Sequence, residues 1–123
     1  MAKATFRLKH GIPFGKGDDM ELQFDVELRE LQVGDILAAQ EEAEKVVPTP
    51  NGYTLVVSPT LAGIHTLRRQ IVRIGKLQGP ISPREINLLQ QEDLALINRH
   101  ADALDKAVLS EVTERGRSDS ASG

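Results

Sequence analysis

The chain has no cysteine and no tryptophan, and its aromatic residues are limited to Phe6, Phe14, Phe24 and Tyr53. Without cysteine there can be neither a disulfide scaffold nor a thiolate metal site. Four aromatics are too few for a surface that stacks nucleotide bases. Fifteen Lys and Arg against eighteen Asp and Glu leave a formal charge of −3. A weakly acidic chain lacks the basic field that non-specific nucleic-acid binding or a polybasic membrane anchor needs. No apolar run approaches the roughly 18 residues of a membrane span. The opening residues alternate polar and apolar like a strand, not like a signal peptide. The 123 residues suit one globular domain, expected over 1–115, followed by a polar and disordered tail over 116–123.

What is present begins with a β pattern. Phe6 and Leu8 alternate with Thr5, Arg7 and Lys9; Met20, Leu22, Phe24, Val26 and Leu28 alternate with Glu21, Gln23, Asp25, Glu27 and Arg29. A period of two places each apolar set on one face of a sheet. The outward sets carry opposite charge, Lys3, Arg7 and Lys9 against Glu21, Asp25 and Glu27, which favours antiparallel pairing. The glycine-rich stretch 11–19 between them reads as a turn. It lacks the spacing and the following helix of a phosphate-binding loop.

Helical patterns follow. Residues 36–46 are rich in helix formers behind Asp35, and Pro48 and Pro50 end the run. Asn51-Gly52 makes a turn, and Tyr53–Val57 is a β-branched run suited to a third strand. Ser58-Pro59 starts a helix whose aliphatic stripe is expected to run through Leu61, Ile64, Leu67, Ile71 and Ile74. On its far side lie His65, Arg69, Arg73 and Lys76, opposite in charge to Asp35, Glu41, Glu42 and Glu44 of the preceding helix. Ser82-Pro-Arg-Glu85 is a capping box. The last helix carries Leu94, Ile97, Ala101, Leu104, Val108 and Val112 at steps of three and four, a narrow seam. The fold class is therefore α+β: an N-terminal antiparallel hairpin, with Tyr53–Val57 as a possible third strand, packed on three to four helices. Met20, Leu22, Phe24, Val26, Leu28, Leu61, Ile64, Leu67, Ile71, Ile74, Leu89, Leu94 and Ile97 are the expected core.

Catalytic patterns are missing. His10, His65 and His100 stand apart, with no second histidine at ligand spacing and no GxSxG or HExxH pattern. His65 reads as a solvated residue. No catalytic, cofactor-binding or metal-ligating residue is assigned, and an enzyme is not expected.

Two stretches carry a resemblance. Residues 28–43, Leu-Arg-Glu-Leu-Gln-Val-Gly-Asp-Ile-Leu-Ala-Ala-Gln-Glu-Glu-Ala, resemble the strand-to-helix passage of the tail assembly chaperones of Mu-like and related contractile-tailed phages and prophages. Residues 67–82, followed by Ile86, Leu89 and Glu92-Asp93-Leu94, are similar to that family's second block. The resemblance implies a non-enzymatic protein of the host cytoplasm, absent from the mature virion. Such chaperones bind the helical tape measure protein and keep it soluble while tail tube subunits polymerise around it. The competing classes are a structural tail or connector component of the virion and a small DNA-binding regulator using Arg68–Lys76. A homo-oligomer is expected, because a two- or three-stranded sheet leaves open edges. The partner surface is expected on the seam of Leu94, Ile97, Leu104, Val108 and Val112, with the basic face of Arg69, Arg73 and Lys76 as a second contact.

Overall fold

A computed structural model describes the backbone of residues 2–122 and the side chains of residues 2–111. The period-two segments form an antiparallel hairpin of β1 (Lys3–Phe14) and β2 (Glu21–Arg29), closed by a 3₁₀ turn at Gly17–Asp19. The chain continues through α1 (Val33–Glu42), β3 (Glu44–Thr49), β4 (Gly52–Val57) and α2 (Pro59–Gln70). It then forms β5 (Ile71–Ile74), β6 (Leu77–Gln78), the short α3 (Pro83–Ile86) and the long α4 (Gln91–Ser122). Two antiparallel sheets result: one in the order β1-β2-β5-β6, the other β3-β4 alone. The architecture is α+β, as expected. The expected domain boundary at 115 and the tail over 116–123 fall outside the residues whose side chains are described.

The core lies between the four-stranded sheet and the helices. Leu8, Ile12, Val26 and Leu28 from the hairpin meet Leu67, Ile71, Ile74, Leu77, Ile81, Ile86, Ile97, Ala101 and Leu104. Seven of the expected core residues are less buried than expected. Met20 and Leu22 are exposed; Phe24, Leu61, Ile64, Leu89 and Leu94 are half-buried. The pairing of β1 with β2 explains the exposed pair. It shifts by three residues between Arg7↔Asp25 and Ile12↔Gln23. An odd shift exchanges the faces, so Ile12 and Gln23 point inward where simple alternation would have placed Leu22.

That shift is held by an unusual clasp. Backbone N–H groups of Lys9, His10 and Gly11 donate to the carboxylate of Asp93 at 2.8, 3.0 and 2.9 Å. Asp93 is fully buried in the first turn of α4. Gly11, expected in the turn, lies within β1 at φ +83°, where a Cβ would meet the Phe24 ring at 3.0 Å. Only glycine takes that backbone without strain. On either side, Phe6 stacks on His100 of α4 with ring centroids 3.9 Å apart, and Lys9 Nζ pairs with Glu92 at 2.9 Å.

The helix expected to continue through Ile74 stops at Gln70. Ile71-Val-Arg-Ile74 is a strand whose Ile71 and Ile74 are both buried. A register shift between Leu28↔Ile71 and Glu27↔Arg73 allows this, because a bulge brings residues three apart to the same face. The spacing of a helical stripe was thus produced by a bulged strand. Gln23 Oε1 accepts from the Lys76 N–H at 2.9 Å and latches the β5–β6 turn to β2. Likewise the helix expected over 36–46 ends at Glu42, and Glu44–Thr49 pairs with Gly52–Val57. Tyr53–Val57 is a strand, yet it belongs to this separate hairpin and not to the N-terminal sheet.

The helix starts follow their sequence signals. Ser82 accepts from the Glu85 N–H at 3.1 Å and Glu85 accepts from the Ser82 N–H at 2.9 Å. In α1, Asp35 accepts from the Gln32 N–H and receives both terminal nitrogens of Arg29 at 2.8 and 2.9 Å. The Arg29 hydrogen bond holds the Asp35 carboxyl down at about 2. A carboxylate favoured by the fold stabilises it fully above its unfolded value near 4 and loses that contribution as pH falls through about 2. We expect Asp35→Asn to lower stability by about 1.5–3 kcal/mol at neutral pH. The gap between variant and wild type should close between about pH 4 and 2. Urea unfolding midpoints across that range test it; a gap that does not change with pH would show that the ion pair contributes nothing.

Candidate partner-binding surface

The charged face of α2 is largely consumed within the chain. Glu42, in the last turn of α1, lies between Arg68 at 3.0 Å, His65 at 3.1 Å and Arg69. The Arg69 hydrogen bond draws the Glu42 carboxyl below its ordinary range, and Arg68 adds to the effect. His65 is mostly covered within this cluster, not solvated as expected. The match of acidic α1 to basic α2 is thus intramolecular at these residues. Lys76 pairs with Glu21 at 3.1 Å, and Arg73 stands on β5 in register with Glu27. Arg69, Arg73 and Lys76 therefore occupy a helix, a strand and a turn, not one helical face.

The expected seam on α4 is placed as follows. Ile97 is 0% exposed and Leu104 is also buried, both packed into the core. Leu94 and Val108 are half-buried, and the side chain of Val112 lies outside the described residues. A buried Ile97 and Leu104 have no surface to offer a partner. Their spacing marks the inward stripe of α4, which lies along β1 and α2.

Uncovered apolar surface lies elsewhere. Nine of the exposed large hydrophobic residues fall between Val33 and Val57. On α1, Val33, Ile36 and Leu37 are exposed at positions i, i+3 and i+4, one stripe of the helix. Every residue of β3 and β4 is exposed. Residues directly opposite in an antiparallel pair share a face. Tyr53, Leu55 and Val57 thus stand beside Pro48, Val46 and Glu44, with Tyr53 80%, Val46 64% and Leu55 63% exposed. Scattered apolar residues are ordinary on a protein surface, whereas their concentration here makes residues 33–57 the candidate docking region. The sequence signal was available: an uncharged, apolar strand preceded by one carrying Val46 and Val47.

Among the described residues no cluster of three or more His, Cys, Asp or Glu could hold a metal ion, and no helix is long and apolar enough to cross a membrane. A cleft of about 300 Å³ is lined by Arg29, Arg69, Ile71, Val72, Gly79 and Pro80. Its two guanidiniums are engaged by Asp35 and Glu42.

The profile of the tail assembly protein gp41 family matches residues 8–117, and the chain belongs to that family. It is 45% identical over 114 residues to the "Probable tail assembly protein gp41" of Escherichia phage Mu, covering 92% of this chain and 79% of that one. It is 43% identical over 115 residues to the Mu-like prophage FluMu protein gp41 of Haemophilus influenzae, covering 93% and 87%. A second phage Mu protein, FS-gp41, is 44% identical over 113 residues; the match covers 91% of this chain and 60% of that protein's length. No solved structure gives a significant match.

Proposed function

We propose that the chain acts in phage tail assembly as a non-enzymatic chaperone, binding the helical tape measure protein and keeping it soluble in the host cytoplasm while tail tube subunits assemble. Family membership supports the assembly role, and the observation that carries the chaperone reading is the apolar surface concentrated between Val33 and Val57. A long amphipathic helix needs an apolar stripe to lie against, read at steps of three and four. Val33, Ile36 and Leu37 on α1 present such a stripe, and none of them contributes to the core. The reading places the protein outside the mature virion and gives it no nucleic acid, membrane or cofactor to bind.

The test is co-expression with the tape measure protein of the same phage or prophage. The wild-type chain should hold the tape measure protein in the soluble fraction, and the double variant Ile36→Asp, Leu37→Asp should fail to do so while remaining folded. A tape measure protein equally soluble with either chain, or without any, would refute the proposal. Finding the chain in purified particles would favour the structural tail component instead.

A further inference from the structure

We infer that the outer edge of β4 is a self-association edge, on which a second copy of this chain adds its own β4 antiparallel to make a four-stranded sheet. The inference rests on the β3–β4 hairpin alone and not on the proposed client.

An isolated two-stranded hairpin is marginal in water. Here both strands together bury no side chain against the body of the protein. The two edges differ in kind. The β3 strand carries Glu44, Lys45 and Pro48, and Pro48 has no N–H to give to a further strand. These are the devices by which proteins close an edge to pairing. The β4 strand, Gly52-Tyr-Thr-Leu-Val-Val57, has no charge and no proline. Every second N–H and C=O of such a strand points away from its one neighbour, a ready template for a further strand. A helix cannot supply one, because its own backbone groups are already paired. An extended segment can.

The strand is complementary to its own copy. An antiparallel pair centred on Leu55 sets Leu55 against Leu55 of the second copy and Tyr53 against Val57 of the second copy. Aromatic and β-branched residues opposite each other are favourable cross-strand pairs, and no like charges meet. The symmetry is that of a closed two-fold dimer, the commonest oligomer. On the face shared by Tyr53, Leu55 and Val46, those side chains are 80%, 63% and 64% exposed, apolar surface that a second copy has available to cover.

Sedimentation velocity over a dilution series should give twice the 13.5 kDa chain mass for the wild type. Leu55→Lys, which places a charge on the exposed strand, should give 13.5 kDa with an unchanged circular dichroism spectrum and unfolding midpoint. Because the chain has no cysteine, Leu55→Cys should oxidise to a covalent dimer across the two-fold axis, and Val33→Cys on α1 should not. A wild type that stays at 13.5 kDa, a dimer that Leu55→Lys leaves intact, or equal cross-linking of the two cysteine variants would overturn the inference. A chain that dimerises in this way but leaves the tape measure protein insoluble would refute the proposed function and preserve the dimer.

Discussion

Asp93→Ala is expected to cost about 3–5 kcal/mol, a large part of the 5–15 kcal/mol that holds a domain of this size together. The carboxylate accepts from three consecutive backbone N–H groups, those of Lys9, His10 and Gly11. Hydrogen bonds to an ionised group are about twice as strong as neutral ones, so their loss is the first part of the effect. The second part is the Gly11 N–H, which lies buried and would be left without a partner. Asp93→Asn keeps the shape but presents an amide NH₂ to a cradle made of donors, and it should lose an intermediate amount. Urea unfolding followed by circular dichroism measures both. An alanine variant within about 0.5 kcal/mol of wild type, the range of ordinary surface changes, would mean that water replaces the carboxylate at no cost.

The second large effect is expected from Ile97→Ala, a loss of about 2–5 kcal/mol, with Leu104→Ala in the same range. Both side chains belong to the core between α4 and the sheet. Removing buried methyl groups forfeits their transfer from water and leaves a cavity that the neighbours fill only in part. Val33→Ala on the exposed stripe of α1 should stay within about 0.5 kcal/mol. The contrast matters for the function. An Ile97 variant that fails to solubilise a client has lost its fold, whereas an α1 variant that fails has lost a contact. Chemical denaturation of the three variants separates the cases; a small loss at Ile97 would return the α4 seam to consideration as a partner surface.

Local signals in the sequence were readable where a single element satisfied them. The alternation in β1 and β2, the Ser58-Pro59 start and the reciprocal Ser82–Glu85 cap each depend on neighbours a few residues away. The α2–β5 boundary was not readable, because Ile71 and Ile74 are spaced like a helical stripe while a bulge sets the same spacing in a strand. Its β-branched composition, Ile-Val-Arg-Ile, was the overlooked clue. Asp93 was given no structural role by the sequence, since that role depends on residues 82 to 84 positions away. Ile97 and Leu104, expected at the partner surface, are buried instead, for a related reason. Apolar spacing on α4 is the same whether the stripe faces a partner or the chain's own sheet, and only packing distinguishes the two.

The separate β3–β4 hairpin divides the molecule into two economies of sequence. Core positions answer to one another, so a change at Leu28 or Ile97 is constrained by every side chain around it. Residues 44–57 answer to almost nothing inside the chain. They can change length, shape or polarity at little cost to folding, provided the Pro50-Asn51 turn between Thr49 and Gly52 still closes. A protein so arranged can acquire a different partner by revising one peripheral arm, while the body that displays it is inherited unaltered.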